Sequence, residues 1–134
     1  MPWDGSAQAG FTTGKPWLPL SPDWKTRNVK AMTADEGSIL NLYRQLIALR
    51  RESRVLQLGD YVPLGAEDGV LAYARRLGEE RLTVILNLAH ERRRASLPSP
   101  MPERVLVSTA PGSGSRPADG RIELGPDEGV ILAD

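Results

Sequence analysis

From Arg54 onward, short apolar runs alternate with clusters of Gly, Pro, Asp and Ser. In order, the runs are V-L-Q-L-G-D-Y-V-P-L, V-L-A-Y-A-R-R-L, L-T-V-I-L-N-L-A, A-S-L, R-V-L-V-S-T-A, R-I-E-L and G-V-I-L-A. Each is bounded by residues that turn the chain, so the segment reads as a succession of strands. Leu82 to Ala89 is nearly continuous in apolar residues, which predicts a central strand buried on both faces. Gly78-Glu79-Glu80 just before it predicts a short hairpin loop. Strands at this spacing predict an antiparallel sandwich of about seven or eight strands. The tract A-P-G-S-G-S-R-P-A-D-G, residues 110–120, reads as a mobile surface loop.

One long helix is predicted ahead of the strands, over residues 34–53. Ile39, Leu42, Tyr43, Leu46 and Leu49 recur at helical spacing, and Leu40 and Ile47 widen the stripe beyond one face. A helix this apolar needs cover on two sides. Thr33-Ala34-Asp35-Glu36 fits a capping box, and Ser38 is the rival cap if Gly37 lies outside the helix. Asp35 and Glu36 would face the positive end of the helix dipole, and Arg50 and Arg51 the negative end. The fold class is therefore mainly β with one long helix, an antiparallel sandwich preceded by an irregular tract.

That tract, residues 1–34, holds all three tryptophans and shows no sustained periodicity. Pro2, Pro16, Pro19 and Pro22 remove backbone donors, and Gly5, Gly10 and Gly14 permit turns. It reads as a long loop with at most one short helical turn. Structureless loops of this length inside a compact domain are uncommon and are usually either functional or misassigned.

Composition excludes more chemistry than it suggests. Seventeen basic and seventeen acidic residues cancel, which argues against a nucleic-acid binder, whose affinity depends on excess positive charge. No run approaches the ~18 apolar residues of a membrane span. No basic stretch followed by an apolar segment opens the chain, so no secretory signal is read and a cytoplasmic location is expected. With no cysteine, disulfides, thiolate metal sites and cysteine nucleophiles are excluded. His90 is the only histidine and reads as a surface residue. Arg92-Arg93-Arg94 reads as a solvated strand edge, with two side chains on one face and one on the other. Asp4, Asp23, Asp60 and Asp68 lie in turn-like contexts that explain them without catalysis. No nucleophile elbow, phosphate loop or dinucleotide fingerprint is present. We expect no catalytic residue, no metal and no cofactor.

The segments M-P-W-D-G, A-G-F-T-T-G-K-P-W-L-P-L, S-P-D-W-K-T-R-N-V and S-I-L-N-L-Y-R-Q-L-I-A-L-R-R-E, in this order, resemble the end of glycoside hydrolase family 13 enzymes, in the group of α-glucosidases, oligo-1,6-glucosidases and trehalose synthases. M-P-W-D-G resembles the tail of that family's R-T-P-M-x-W-D, although Pro2 stands where glutamine is frequent. A-G-F-T-T-G-K-P-W-L-P-L follows at the corresponding place. S-P-D-W-K-T-R-N-V resembles N-P-x-Y-K-x-x-N-V. S-I-L-N-L-Y-R-Q-L-I-A-L-R-R-E resembles the last barrel helix, and G-D-Y with V-L-A-Y-A-R the start of the C-terminal sandwich. The resemblance is strong over residues 1–76 and looser after them.

It implies a map. Residues 1–53 would be a remnant of the catalytic (β/α)8 barrel, its last loop and last helix. Residues 54–134 would be the C-terminal β-sandwich domain of α-amylase-type enzymes. Loops at that end of a barrel build the active site. Met1, Trp3 and Phe11 are thereby implied at the rim of a sugar pocket, where an aromatic face can cover a pyranose. Trp17 and Trp24 are implied to pack the loop against the barrel. The family's nucleophile and acid/base carboxylates lie on earlier strands, at no position matched here. The resemblance therefore implies part of a retaining hydrolase or transferase of α-glucosides, inactive in isolation. Its partner would be the missing catalytic barrel or a separately encoded one, and uncovered apolar surface would favour self-association. The alternative is a stand-alone carbohydrate-binding or barrel-docking β-sandwich module.

Overall fold

The computed structural model describes residues 1–110, 112 and 115–134. It divides into two compact units, Met1–Gln45 and Leu46–Asp134. The tract expected to be irregular contains a helix, α1 (Val29–Ala34). Asn28 starts it: its Oδ1 accepts from the amide of Ala31 at 2.9 Å, while its Nδ2 donates to the carbonyls of Trp24 and Lys25. Every polar atom of this buried side chain is thus used.

The long helix, α2, is Ile39–Glu52, not 34–53. The Thr33–Glu36 capping box does not form. The rival holds: Ser38 Oγ accepts from the amide of Asn41 at 3.3 Å and donates to the carbonyl of Met32 at 2.6 Å. Asn41 Nδ2 also reaches the carbonyls of Met32, Thr33 and Asp35. The C-terminal carbonyls of α1 are thereby satisfied by the first turn of α2, which displaces the cap to Ser38. Asp35 and Glu36 fall in the turn between the helices.

The first predicted strand is also corrected at its start. Arg54–Leu58 is a short helix, α3, capped by Ser53 Oγ on the amide of Leu56 at 3.2 Å. Gln57 Nε2 donates to the carbonyls of Arg50 and Arg51, and Arg50 Nη1 to that of Leu56 at 2.7 Å. These bonds close the corner between α2 and α3. Gly59 ends it: a Cβ there would stand 2.5 Å from the Val55 carbonyl oxygen and 2.9 Å from that of Arg76.

Seven strands follow among the described residues: β1 (Asp60–Glu67), β2 (Val70–Leu77), β3 (Glu80–Asn87), β4 (Arg93–Ser96), β5 (Arg104–Ser108), β6 (Arg121–Leu124) and β7 (Gly129–Ala133). They form an antiparallel sandwich of a five-stranded sheet, ordered β1-β2-β3-β7-β5, and a two-stranded sheet, β4-β6. Asp68-Gly69, both at positive φ, make a two-residue hairpin between β1 and β2. Gly78-Glu79 makes the next, with Leu77 paired to Glu80, as expected.

β3 is the central strand, with Leu82 to Ile85 buried in succession. It ends at Asn87, earlier than expected, because that side chain turns the chain. Asn87 Nδ2 donates to the carbonyls of Glu91 and Gly125, and Oδ1 accepts from Ala89. Edge strand β1 carries Pro63 and an extra residue between Pro63 and Gly65, two devices that blunt further strand pairing.

The two faces of the large sheet differ. One carries Val70, Ile85, Val130 and Leu132, fully buried against Ala95, Ile122 and Leu124 of β4 and β6. The other carries Leu77, Leu82 and Ala133 against Val55 and Leu56 of α3, with Leu49 of α2 beside them. At the far end of the sandwich, Glu128 is buried. Its carboxylate accepts from Ser108 Oγ, Ser115 Oγ and the amide of Gly125 at 2.7–2.8 Å. The predicted loop at 110–120 lies partly outside the described residues; within it, Ala118 bridges to Arg121.

Candidate functional site

The N-terminal segment is built from hydrogen bonds. Residues Ala7–Gly10 form a tight turn in which Gln8, Ala9 and Gly10 all take positive φ, at 57°, 56° and 65°. Two of these are not glycine, a conformation that costs about 1–2 kcal/mol each. The turn is held because the Ala9 carbonyl accepts from the amides of Trp3 (2.8 Å) and Asp4 (3.4 Å). The Trp3 carbonyl in turn accepts from Lys30 at 2.9 Å, and that of Pro2 from Val29. Trp3 is thus fixed at both its backbone groups, between the turn and the start of α1.

Asp4 completes the turn. Its carboxylate accepts from the amide and hydroxyl of Ser6, and the hydroxyl bond is the main reason its pKa lies below the ordinary aspartate value. A Cβ on Gly10 would sit 2.9 Å from the same carboxylate. Asp23 is similar: the Ser21 hydroxyl lowers its pKa, with Arg27 assisting. Both are turn residues, as their contexts predicted.

The side chains singled out from the sequence face solvent. Met1 is 74% exposed, Trp3 50% and Phe11 54%. The backbone joins Trp3 to Ala9 and Phe11 to Gln8 (3.1 Å), so the two aromatic residues flank one turn. Trp17 is 86% exposed, whereas Trp24 is half-buried with Lys25 Nζ 5.6 Å above its ring. On α2, Ile39, Tyr43 and Ile47 are each about half exposed or more. Spaced at four-residue intervals, they form one solvent-facing stripe. The left-handed turn that carries the loop was not legible beforehand; Gly10 was its only sequence signal.

The remaining polar candidates are surface structure. His90 Nδ1 lies 2.9 Å from Asp127 Oδ2, which raises the histidine pKa. Arg92 and Arg94 share Glu123, holding its pKa low, with Arg94 the larger cause. Arg93 points the other way, to Glu91 and the Asp68 carbonyl, the predicted alternation. Asp60 opens β1 and Asp68 turns into β2. Among the described residues, no group of three His, Asp or Glu side chains could hold a metal ion. Among the same described residues, no helix is long and apolar enough to cross a membrane.

Comparison with known proteins finds two family matches along the chain, which meet at residues 57–59. Residues 1–59 match the family described as alpha amylase, catalytic domain. Residues 57–131 match a domain of unknown function, DUF3459. An oligo-1,6-glucosidase of Parageobacillus thermoglucosidasius is 40% identical over 92 residues, which are 68% of this chain and 16% of that protein. A glucan 1,6-alpha-glucosidase of Streptococcus pneumoniae is 34% identical over 110 residues, 82% of this chain and 21% of its own. Among solved structures, an isomaltulose synthase from Protaminobacter rubrum superposes with a TM-score of 0.89 at 34% identity, over 98% of this chain and 24% of that one. The chain spans 16% to 21% of the length of the two curated relatives. It belongs to the DUF3459 family and, with the end of an alpha-amylase catalytic domain ahead of that region, corresponds to the C-terminal part of glycoside hydrolase family 13 chains.

Proposed function

We propose that this chain is the C-terminal part of a retaining α-glucosidase-like enzyme acting on α-glucosides in the cytoplasm. Residues 1–53 complete the catalytic barrel and residues 54–134 form its sandwich domain. Met1, Trp3 and Phe11 stand at the rim of the sugar pocket. The observation that carries the reading is the stripe of Ile39, Tyr43 and Ile47, open to solvent on a segment matched to a catalytic domain. Burying such side chains completely is worth about 1.5–3 kcal/mol each, so the helix is built for a cover that these 134 residues leave open. The clamped Trp3 backbone supports the rim assignment, because an aromatic platform binds best when it is already ordered.

Retention requires two carboxyl groups about 5–5.5 Å apart, one as nucleophile and one as acid/base. No position matched here carries either, so the chain contributes substrate contacts and support while the chemistry belongs to the barrel.

The test is a graft. The corresponding C-terminal segment of the Parageobacillus oligo-1,6-glucosidase is exchanged for this chain, and release of p-nitrophenol from the α-glucoside is followed. The graft should turn over, and Trp3→Ala should raise KM by roughly tenfold, about 1.4 kcal/mol of lost contact. The chain alone should show no turnover. A folded but inactive graft, or genuine activity of the chain alone, would refute the proposal.

A further inference from the structure

Three successive residues of the N-terminal turn take positive φ, and two of them have a reason within the turn. Ala9 is fully buried, and its carbonyl accepts from the amides of Trp3 and Asp4. Gly10 has no Cβ, and one would stand 2.9 Å from the Asp4 carboxylate. Gln8 is the anomaly. At φ 57° it holds a conformation that glycine adopts freely and other residues resist. Its share in the turn is a backbone carbonyl that accepts from the Phe11 amide at 3.1 Å, which glycine would supply equally well. Its carboxamide makes no hydrogen bond among the described residues. A strained residue whose side chain does nothing for its own turn points to a use outside it.

The surroundings say what that use is. Gln8 sits between two exposed aromatic residues, since the turn joins Trp3 to Ala9 and Phe11 to Gln8 through backbone bonds. An aromatic face covers the C–H face of a pyranose but reads none of its hydroxyls. A carboxamide offers an acceptor and a two-proton donor in one plane, which suits a pair of neighbouring hydroxyls. The two kinds of group together make a sugar-binding surface, apolar with a polar group that fixes orientation.

We propose that Gln8 determines specificity for the leaving group of the α-glucoside: its carboxamide hydrogen-bonds the hydroxyls of a departing sugar that lies against Trp3 and Phe11. The inference rests on the proposed function, in which these residues stand at the pocket rim. There the glucosyl unit fills the pocket and the rim meets the group that leaves.

The test uses Gln8→Gly and Gln8→Ala, in this chain alone and in the oligo-1,6-glucosidase graft. Two substrates are compared: isomaltose, whose leaving group is a sugar, and p-nitrophenyl α-glucoside, whose leaving group offers no hydroxyl. In the graft, both variants should lower kcat/KM for isomaltose about fivefold and leave that for the nitrophenyl glucoside within about twofold. Trp3→Ala removes an apolar face that either leaving group can use, so it should lower both. In the chain alone, Gln8→Gly should raise the melting temperature by about 2 °C or more, because strain is relieved. A Gln8→Gly chain that melts lower would show that the side chain is kept for folding, and would overturn the inference. An active graft whose two substrates respond alike to loss of the carboxamide would also overturn it, while leaving the proposed function standing. A graft that folds without activity would overturn the proposed function and this inference with it.

Discussion

Glu128 offers the sharpest test of how the sandwich is held. It is 1% exposed, and its carboxylate accepts hydrogen bonds from Ser108 Oγ, Ser115 Oγ and the Gly125 amide at 2.8, 2.8 and 2.7 Å. These donors come from the end of β5, the segment after it and the turn between β6 and β7. Glu128→Ala removes the common acceptor, and nothing apolar replaces it. At about 1 kcal/mol for each donor stranded, the loss is about 3 kcal/mol. A folding unit of this size loses about 4 °C of melting temperature per kcal/mol, so the transition should fall by about 12 °C. Glu128→Gln keeps one acceptor oxygen and turns the other site into a donor, so it should lose about half as much. The assay is thermal unfolding by circular dichroism. Amide exchange should show faster opening at Thr109, Ala110 and Gly125. A Glu128→Ala protein melting within about 3 °C of the parent would refute the reasoning, because it would mean that water satisfies these donors as well as the carboxylate does.

Four further outcomes follow from single contacts. Gly59→Ala should destabilise by about 2–4 kcal/mol in chemical unfolding, because the new Cβ meets two backbone oxygens that cannot rotate away. Ser38→Ala should cost about 1 kcal/mol, read from the urea midpoint, since it removes the α2 cap and the bond to Met32. The folded pKa of His90 is raised by Asp127. Its contribution is therefore complete below the unfolded value near 6.5 and is lost as pH climbs through the raised one; His90→Gln should flatten the stability profile across that window. Replacing Ile39, Tyr43 and Ile47 with serine should shift the chain toward monomer in light scattering, since those side chains form the exposed stripe.

The strands were legible because burial on alternate faces leaves a period of two, and the turns between them use Gly, Asp and Pro. Val70–Leu77 and Gly129–Ala133 are recovered almost to the residue. What misled was side-chain competition for backbone groups. Ser53 capping Leu56 makes a helix of R-V-L-Q-L, a run whose composition reads equally well as strand. Asn41, reaching back to three carbonyls, ends α1 and moves the cap of α2 to Ser38. Such bonds depend on three-dimensional closure and leave no periodic trace. The turn at Gln8 and Ala9 was hidden for a related reason. Its residues prefer negative φ, and only the bonds from Trp3 and Asp4 to the Ala9 carbonyl hold them elsewhere. The exposure of Trp3 and Phe11 could be anticipated from the family pattern.

The two units reach order by different routes. In Leu46–Asp134 the buried set is a continuous hydrocarbon core between sheets, with a second cluster under α3. In Met1–Gln45 the only fully buried apolar residue is Ala9, whereas the buried polar residues Asn28 and Ser38 are bonded on every available atom. Hydrogen bonds exchanged with water yield about 1 kcal/mol net. Ordering each residue costs about 1–2 kcal/mol of backbone entropy. A segment that keeps three tryptophans and contributes one alanine to a core has its geometry specified by polar contacts and its main apolar gain still outstanding. Cover for Trp3, Phe11, Ile39 and Tyr43 would supply that gain, and it would do so without altering a hydrogen bond already in place. On the proposed function, a covering catalytic domain would meet a segment whose backbone is already fixed, which lowers the entropy left to lose on assembly.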